Sequence, residues 1–390
     1  MITVSAARDM LFALVEPMSA ETVPLAQAAG RVLADDVTAR RDQPPFDASA
    51  MDGYAVQSTE AQHHAMLKVV GEAAAGHRFA GRVGPGQAVR IFTGAPLPDG
   101  ADFVVIQEDV TRNGDLITIA ADPGRNGHVR PKGADFRAGQ TVTAPRRLGP
   151  SDVALLAAMN IAEVPVRRRP VVALIATGDE LVMPGDEPGP DQIIASNTFG
   201  LKALIEAAGA EARMLPIARD TESSLRTAFG LAEGADLVVT IGGASVGDHD
   251  LVGPVAAAMG MQRSFYKILM RPGKPLMAGR MNGAAMLGLP GNPVSAMVCG
   301  HVFMLPMIRA MLGLGAAAPT LHRAELADAI TANGPREHYM RARVENGRLG
   351  TFADQDSSLL GILAAANALL VRAPGDPARP AGDMVHYLPI

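Results

Sequence analysis

A chain of 390 residues is longer than one hydrophobic core usually serves, so two to four domains are expected. Apolar residues make up 48% of it, enough for real cores, while 41 Gly and 29 Pro predict many turns and short strands beside any α/β part. The formal net charge of −5, with no basic stretch interleaved with aromatics, excludes a nucleic-acid surface, so an anionic ligand needs local basic residues.

The single cysteine, Cys299, excludes an intramolecular disulfide and any site built from several thiolates. Its surroundings, AMVCGHVFML, predict burial on the apolar face of a helix. The start, MITVSAARDM, lacks the basic segment and apolar core of a signal peptide. No stretch reads as approaching the roughly 18 apolar residues of a membrane span, so a cytoplasmic protein without membrane contact is expected.

Residues 5–33 carry helical spacing: Met10, Leu11, Leu14 and Val15 fall on one stripe, and LAQAAGRVL (25–33) predicts a second short helix. From 45 to 140 the texture changes to short β-type runs, MLKVVG, QAVRIF, ADFVVIQ and DLITIA, broken by GRVGPGQ, GAPLPDG and RNGD. This reads as an inserted β domain. A helix (SDVALLAAMN) and an extended AEVPVRRR follow, and 141–169 can pair with 1–44 as one discontinuous α+β domain, which the family resemblance given below implies is elongated. Between 170 and 318 strands and helices alternate: VVALIAT, SNTFGLKALIEAAG, EARMLPIA, DTESSLRTAFGLAEG, LVVTIGG and DLVGPVAAAMG. Such alternation predicts a three-layer α/β domain on a mainly parallel sheet, with ligands at the carboxyl ends of its strands. Ser196 and Asp220 stand where helix N-caps belong, and Asn292-Pro293 opens the last helix with a cap and a first-turn proline. The tail, 319–390, is strand-like and predicts a C-terminal β domain.

Four polar, glycine-bounded turns lie in or beside the alternating region: TGDEL (177–181), GGASVGDHD (242–250), RPGKP (271–275) and GLPGNPVSA (288–296). Glycine lets backbone approach a ligand closely while neighbouring side chains present polar atoms. The candidate binding residues are therefore Thr177, Gly178, Gly242, Gly243, Ser245, Gly247, Asp248, Arg271, Lys274, Pro290, Asn292 and Ser295. Lysine offers the oxygens of an anion such as phosphate a compact charge and arginine a two-pronged grip. Only five of the 35 basic residues are lysines, which makes Lys274 conspicuous, whereas Lys132 in RPKGADF fits surface and site equally. GLPGNPVS predicts free N–H groups and the positive end of a helix dipole facing an anion; an ordinary strand-to-helix turn is the alternative.

Asp52, Glu180, Asp220 and Asp250 lie in separate turns. If the fold gathers them, each pair about 4 Å apart repels by roughly 4 kcal/mol at an effective dielectric of 20, and a cation relieves this. Few carboxylates with a phosphate completing the shell suit Mg²⁺, so all four are candidate metal ligands and catalytic groups. The plainer readings are a helix cap for Asp220 and a turn residue for Asp52. Covalent catalysis has no support: no G-x-S-x-G elbow and no H-E-x-x-H occur, and His249 reads as a turn residue.

With PFDASAMDGYAV (45–56), IFTGAPLP (91–98), RPKGADF (131–137) and the four turns, the sequence resembles the MoeA family of molybdopterin molybdenumtransferases, to which gephyrin's E domain also belongs. The resemblance covers nearly the whole chain. It implies four domains, a homodimer, a magnesium requirement, and insertion of molybdenum from molybdate into adenylylated molybdopterin with release of AMP. It places Thr93 at a site completed from the other subunit, and looser matches, REHYMRAR and QDSS, add Arg341 and Ser357. Ala48 stands where the family commonly has asparagine, and Arg271 where lysine is frequent. The implied chemistry is electrostatic, and molybdopterin adenylyltransferase and molybdoenzyme-maturation proteins are the implied partners. Two alternatives remain open: a non-catalytic molybdopterin-binding scaffold, and a molybdopterin adenylyltransferase, which uses a related α/β domain without the flanking β domains.

Overall fold

The structure, a computed structural model, describes residues 1–243 and 251–390. It divides into two compact units, one of Met1–Glu21, Gly30–Ala34 and Val166–Ile390, the other of Thr22–Ala29 and Asp35–Pro165.

Helix α1 (Val4–Phe12) starts at Thr3, whose Oγ1 accepts a hydrogen bond from Ala6 N at 3.2 Å. Val4, Ala7 and Leu11 form its buried face, and Leu14 and Val15 pack partly against the same core. Met10 does not join them: it lies one position off that spacing and is exposed. The helix expected over LAQAAGRVL is absent. A single 3₁₀ turn, Leu25–Gln27, gives way to Gly30 at φ +77° and the two-residue strand Val32–Leu33, where Leu33 pairs with Val166. Left-handed glycine and strand pairing overrule helical spacing there.

The second unit is built on a six-stranded sheet of β1 (Gly53–Val56), β2 (Met66–Ala73), β3 (Gln87–Ile91), β4 (Phe103–Ile106), β5 (Val110–Asn113) and β6 (Leu116–Ile119), in the order β4-β1-β3-β2-β6-β5. Only β2 and β3 run parallel. Side chains alternate as a pleated sheet requires: Tyr54, Val56, Ile117 and Ile119 fill one core, and Ala55, Val89, Ile91 and Val104 the other. Gly53 lets β1 lie close to β4, since a Cβ there would sit 2.9 Å from the Val105 carbonyl carbon. Helix α2 (Pro150–Ala158) follows with proline in its first turn, and Asp152 Oδ2 accepts from Gly149 N at 2.8 Å.

The first unit carries the α/β sheet: β7 (Val171–Ala176), α3 (Asn197–Ala208), β8 (Glu211–Met214), α4 (Glu222–Leu231), β9 (Leu237–Ile241), α5 (Val252–Ala258), β10 (Gln262–Tyr266), β11 (Met277–Met281), β12 (Ala284–Leu289) and the long helix α6 (Pro293–Met311). Strand order is β8-β7-β9-β12-β11-β10; the first four are parallel, and β11 and β10 complete an antiparallel edge. Alternate residues of β7 face two cores, Val172 and Leu174 toward α3 and α6, Ala173 and Ile175 toward α4 and α5, which gives the expected three layers. Contrary to expectation, α6 is long and apolar enough to cross a membrane, with 19 residues and a mean hydropathy of 1.5. It is 78% buried, and a π turn over Gly300–Met304 carries it past Cys299 through the core. Its apolarity is that of a helix enclosed by protein on most sides.

The tail forms β13 (His322–Leu326), β14 (Glu337–Glu345), β15 (Arg348–Thr351), α7 (Leu360–Ala365), β16 (Ala368–Arg372) and β17 (Met384–Pro389). The order β14-β15-β13-β17-β16 closes on itself because β16 also pairs with β14, giving a small barrel filled by Ala324, Leu326, Ala342, Leu349, Leu370 and Val385. The short strand Met270–Arg271 adds to β14 from outside, with Arg271 opposite His338.

Candidate active site

The parallel strands β7, β9 and β12 end side by side, and the turns that follow hang on one another. Thr177 N donates to Ile241 O at 3.0 Å, Gly242 N to Leu289 O at 3.1 Å and Gly178 N to Ala218 O at 3.1 Å. The glycines permit this crowding. A Cβ on Gly242, at φ +94°, would lie 2.8 Å from Thr177 O, and one on Gly178, at φ +147°, would lie 2.7 Å from the carboxyl carbon of Glu180. Their first service is therefore packing turn against turn, and close approach to a ligand follows from the surface this leaves.

These turns bound a cleft of about 700 Å³ at the carboxyl ends of the strands, the expected position in an open α/β sheet. Thr177, Gly178, Glu180 and Asp220 line it together with Gly242, Gly243, Pro290, Asn292 and Ser295. Thr177 and Ser295 are buried lining residues, and Thr177 Oγ1 donates to Ile241 O at 3.4 Å. The two carboxylates arrive from different turns. Asp220 is positioned by its backbone N–H, which donates to Asp179 Oδ1 at 3.1 Å, and Arg219 donates to the carbonyls of Asp179 (2.8 Å) and Leu181 (3.2 Å). The cap of α4 is Thr221, whose Oγ1 accepts from Ser224 N at 3.3 Å, so Asp220 is released from the capping role the sequence offered it. Among the described residues, the lining contains no Arg, Lys or His.

The start of α6 is less open than GLPGNPVS suggested. Pro293 has no N–H, and Val294 N donates to Ser357 O at 3.1 Å. Asn292 is not a side-chain cap; its Nδ2 donates to Ser357 Oγ at 3.0 Å, and Asn197 Nδ2 holds Gly291 O at 2.7 Å. Ser196, expected as the cap of α3, makes no capping bond. Ser357 thus braces the turn, while its neighbour Ser358 lines the cleft. Arg341 acts one step further back. It is buried, its Nη1 and Nη2 donate to the carbonyls of Asp356 (2.8 Å) and Asp354 (3.2 Å), and Gln355 exchanges hydrogen bonds with the Arg341 backbone. Burial pushes its guanidinium below the usual arginine range, against the opposing charges of Asp354 and Asp356.

In RPGKP only Pro275 lines the cleft; Arg271 and Lys274 are exposed beside it. Arg271 lies against His338, and burial together with Arg271, Arg336, Arg341 and Arg372 pushes that imidazole down to about 4. Asp52 and Thr93 belong to the other unit, where Asp52 Oδ1 accepts from Thr93 N at 2.8 Å and Thr93 Oγ1 at 2.7 Å. Those two bonds hold the carboxylate below its ordinary range. Lys132 in that unit pairs with Asp42 at 3.2 Å. Ser245, Gly247, Asp248, His249 and Asp250 lie outside the described residues. Among the described residues no three potential metal ligands come together, so Glu180 and Asp220 are the pair the cleft offers.

Three family descriptions match the chain in order: the MoeA N-terminal region (domain I and II) over residues 2–160, a probable molybdopterin binding domain over 173–310, and the MoeA C-terminal region (domain IV) over 323–390. A molybdopterin molybdenumtransferase of Haemophilus influenzae is 40% identical over 317 residues, 80% of this chain and 78% of that one. The chain belongs to the MoeA family. A molybdopterin molybdenumtransferase of Nostoc sp. is 38% identical over 331 residues, covering 82% of this chain and 76% of its own. The solved structure of a molybdopterin biosynthesis MoeA protein from Pyrococcus horikosii superposes with a TM-score of 0.85 at 30% identity, over 100% of this chain and 99% of that one.

In this MoeA chain the residues that the motifs did not single out are Ser196, Asn197 and Thr198 at the start of α3, Ser358, and the pair Ile193–Ile194, all lining the cleft. The α3 start had a legible signal, since a helix following a strand of a parallel sheet points its N-terminus at the strand ends. The isoleucines had none, because a short apolar pair in a loop reads as core.

Proposed function

We infer that this chain is a molybdopterin molybdenumtransferase, inserting molybdenum from molybdate into adenylylated molybdopterin with release of AMP in molybdenum cofactor biosynthesis. The observation that carries this reading is the polarity of the cleft: two carboxylate residues, Glu180 and Asp220, line it at the strand ends, and the described lining holds no basic group. A ligand rich in phosphate enters such a cleft only with a cation. The donors are hard oxygens, few in number, and leave room for phosphate oxygens and water, which fits Mg²⁺. Glu180 and Asp220 would hold it, and when bound it stabilises charge on the phosphoanhydride. Ser295, buried in the lining, adds a hydroxyl beside them. Lys274 and Arg271, exposed beside Pro275, are the nearest candidates to attract molybdate. Asp250, Ser245, Gly247 and Asp248 are assigned to the same site on sequence grounds.

The homodimer belongs to the same reading, with Asp52 and Thr93 contributed by the other subunit. Its ground is the family resemblance; within this chain, Thr93 keeps the Asp52 carboxylate ionised, as an electrostatic role there requires. The division into 1–44 with 141–169, 45–140, 170–318 and 319–390 is likewise proposed, supported at its C-terminal end by the closed barrel.

The test is to incubate the protein with adenylylated molybdopterin, Mg²⁺ and molybdate and follow AMP. Release that requires both Mg²⁺ and molybdate is expected. AMP transfer from ATP to molybdopterin would identify an adenylyltransferase instead, and binding without turnover a scaffold.

A further inference from the structure

One wall of the cleft serves neither the metal pair nor the polar lining. Ile193 and Ile194 line it, yet they are 58% and 38% exposed. Neighbouring residues of a strand ordinarily turn to opposite faces, and one of two isoleucines then finds a core. Here both border the opening. They pair in parallel with Leu181–Val182, and Ile193 N donates to the carbonyl of Glu180 at 2.8 Å, so the apolar pair is tied to the residue that carries the metal-side carboxylate. Arg219 Nη1 donates to Leu181 O at 3.2 Å. The connecting loop is braced internally, with Met183 N donating to Asp186 Oδ2 at 3.1 Å and Gly189 N to Gln192 Oε1 at 3.0 Å. The apolar surface is therefore built before a ligand arrives and gains most by being covered.

We propose that Ile193 and Ile194 form a ledge on which one planar heterocycle of the substrate, adenine or pterin, lies, and that they set the preference for a ring-bearing ligand over a bare diphosphate. The inference rests on the molybdenum-transfer reading, which supplies a ligand with a planar ring at each end of a diphosphate. The carboxylate pair beside the ledge takes the diphosphate through its cation, and the ledge takes the ring one linkage away.

The experiment measures binding, in the presence of Mg²⁺, of pyrophosphate, AMP and 6-hydroxymethylpterin phosphate to the wild type, to Ile193→Ser/Ile194→Ser and to Ile193→Leu/Ile194→Leu. The serine pair should weaken AMP or the pterin phosphate by about tenfold or more, leave pyrophosphate unchanged, and be rescued by the leucine pair. The ring that responds identifies the source. Unchanged affinity for both ring ligands overturns the ledge, as does a parallel fall for all three ligands with a lowered melting temperature, or a wild type that binds neither ring ligand better than pyrophosphate. Ring preference that depends on the isoleucines, in a protein that releases no AMP with molybdate, would instead retain the ledge and sink the transferase reading.

Discussion

Glu180 shows how much a single residue in the cleft depends on its neighbour. Its carboxylate lies over Gly178, whose φ of +147° and lack of a Cβ make the space. Gly178→Ala should displace the carboxylate and cost about 1–3 kcal/mol in backbone strain, with reduced Mg²⁺ affinity, read by calorimetry and thermal melting. Glu180→Gln and Asp220→Asn change charge with little change of shape. Each should lower molybdenum insertion by roughly 10²–10³-fold if electrostatic stabilisation is its role, with the melting temperature unchanged or raised as repulsion is relieved. A matched loss of stability would mean structural hydrogen-bonding groups instead. At this scale the sequence marks chemistry well and local partners poorly. The motif TGDEL announces Glu180, but Asp220 and Thr221 are both of a type that caps helices, and only the backbone path decides that Thr221 bonds Ser224 N. Arg341 reads as an anion ligand through the family resemblance; its Nη1 and Nη2 are turned to the carbonyls of Asp356 and Asp354.

Among the elements, the loop 354–358 links β14 of the barrel to the start of α6, through Arg341 at one end and Ser357 at the other. Replacing Arg341 by Met removes charged donors from buried carbonyls and should cost about 2–3 kcal/mol, measured as a shift in the urea midpoint, while Ser357→Ala costs less. Two histidines give the elements a pH signature. Burial pushes His301 on α6 and His338 on β14 down to about 4, with surrounding arginines adding to the effect at His338. Above the ordinary value near 6.5 both folded and unfolded chains are neutral there and stability is full. As pH falls from 6.5 to 4 the unfolded chain takes up protons first, so stability is lost across that window, on the order of 3 kcal/mol for each group. Urea midpoints at pH 7 and 4.5 for the wild type and His338→Gln should show a smaller drop in the variant. The α/β elements were legible because VVALIA and LVVTI are uninterrupted apolar runs followed by amphipathic helices. The failed helix over LAQAAGRVL and the closure of β16 onto β14 were not. Both depend on pairing between distant segments, which periodicity does not encode.

For the whole molecule, the proposed homodimer makes one prediction of its own. If Asp52 acts in the partner's site, inactive Asp52→Ala and Glu180→Gln proteins should regain part of their activity when co-refolded, because one site in each mixed dimer is then intact. No recovery despite proven subunit exchange would contradict sharing. The proposed site of molybdenum transfer is the cleft at the ends of β7, β9 and β12. Its most direct test is AMP release and molybdenum-cofactor formation from adenylylated molybdopterin, Mg²⁺ and molybdate by the wild type and by Glu180→Gln folded to the same stability. Molybdate-dependent release that is nearly abolished in the variant is the expected result; equal activity in the two proteins would place the chemistry elsewhere.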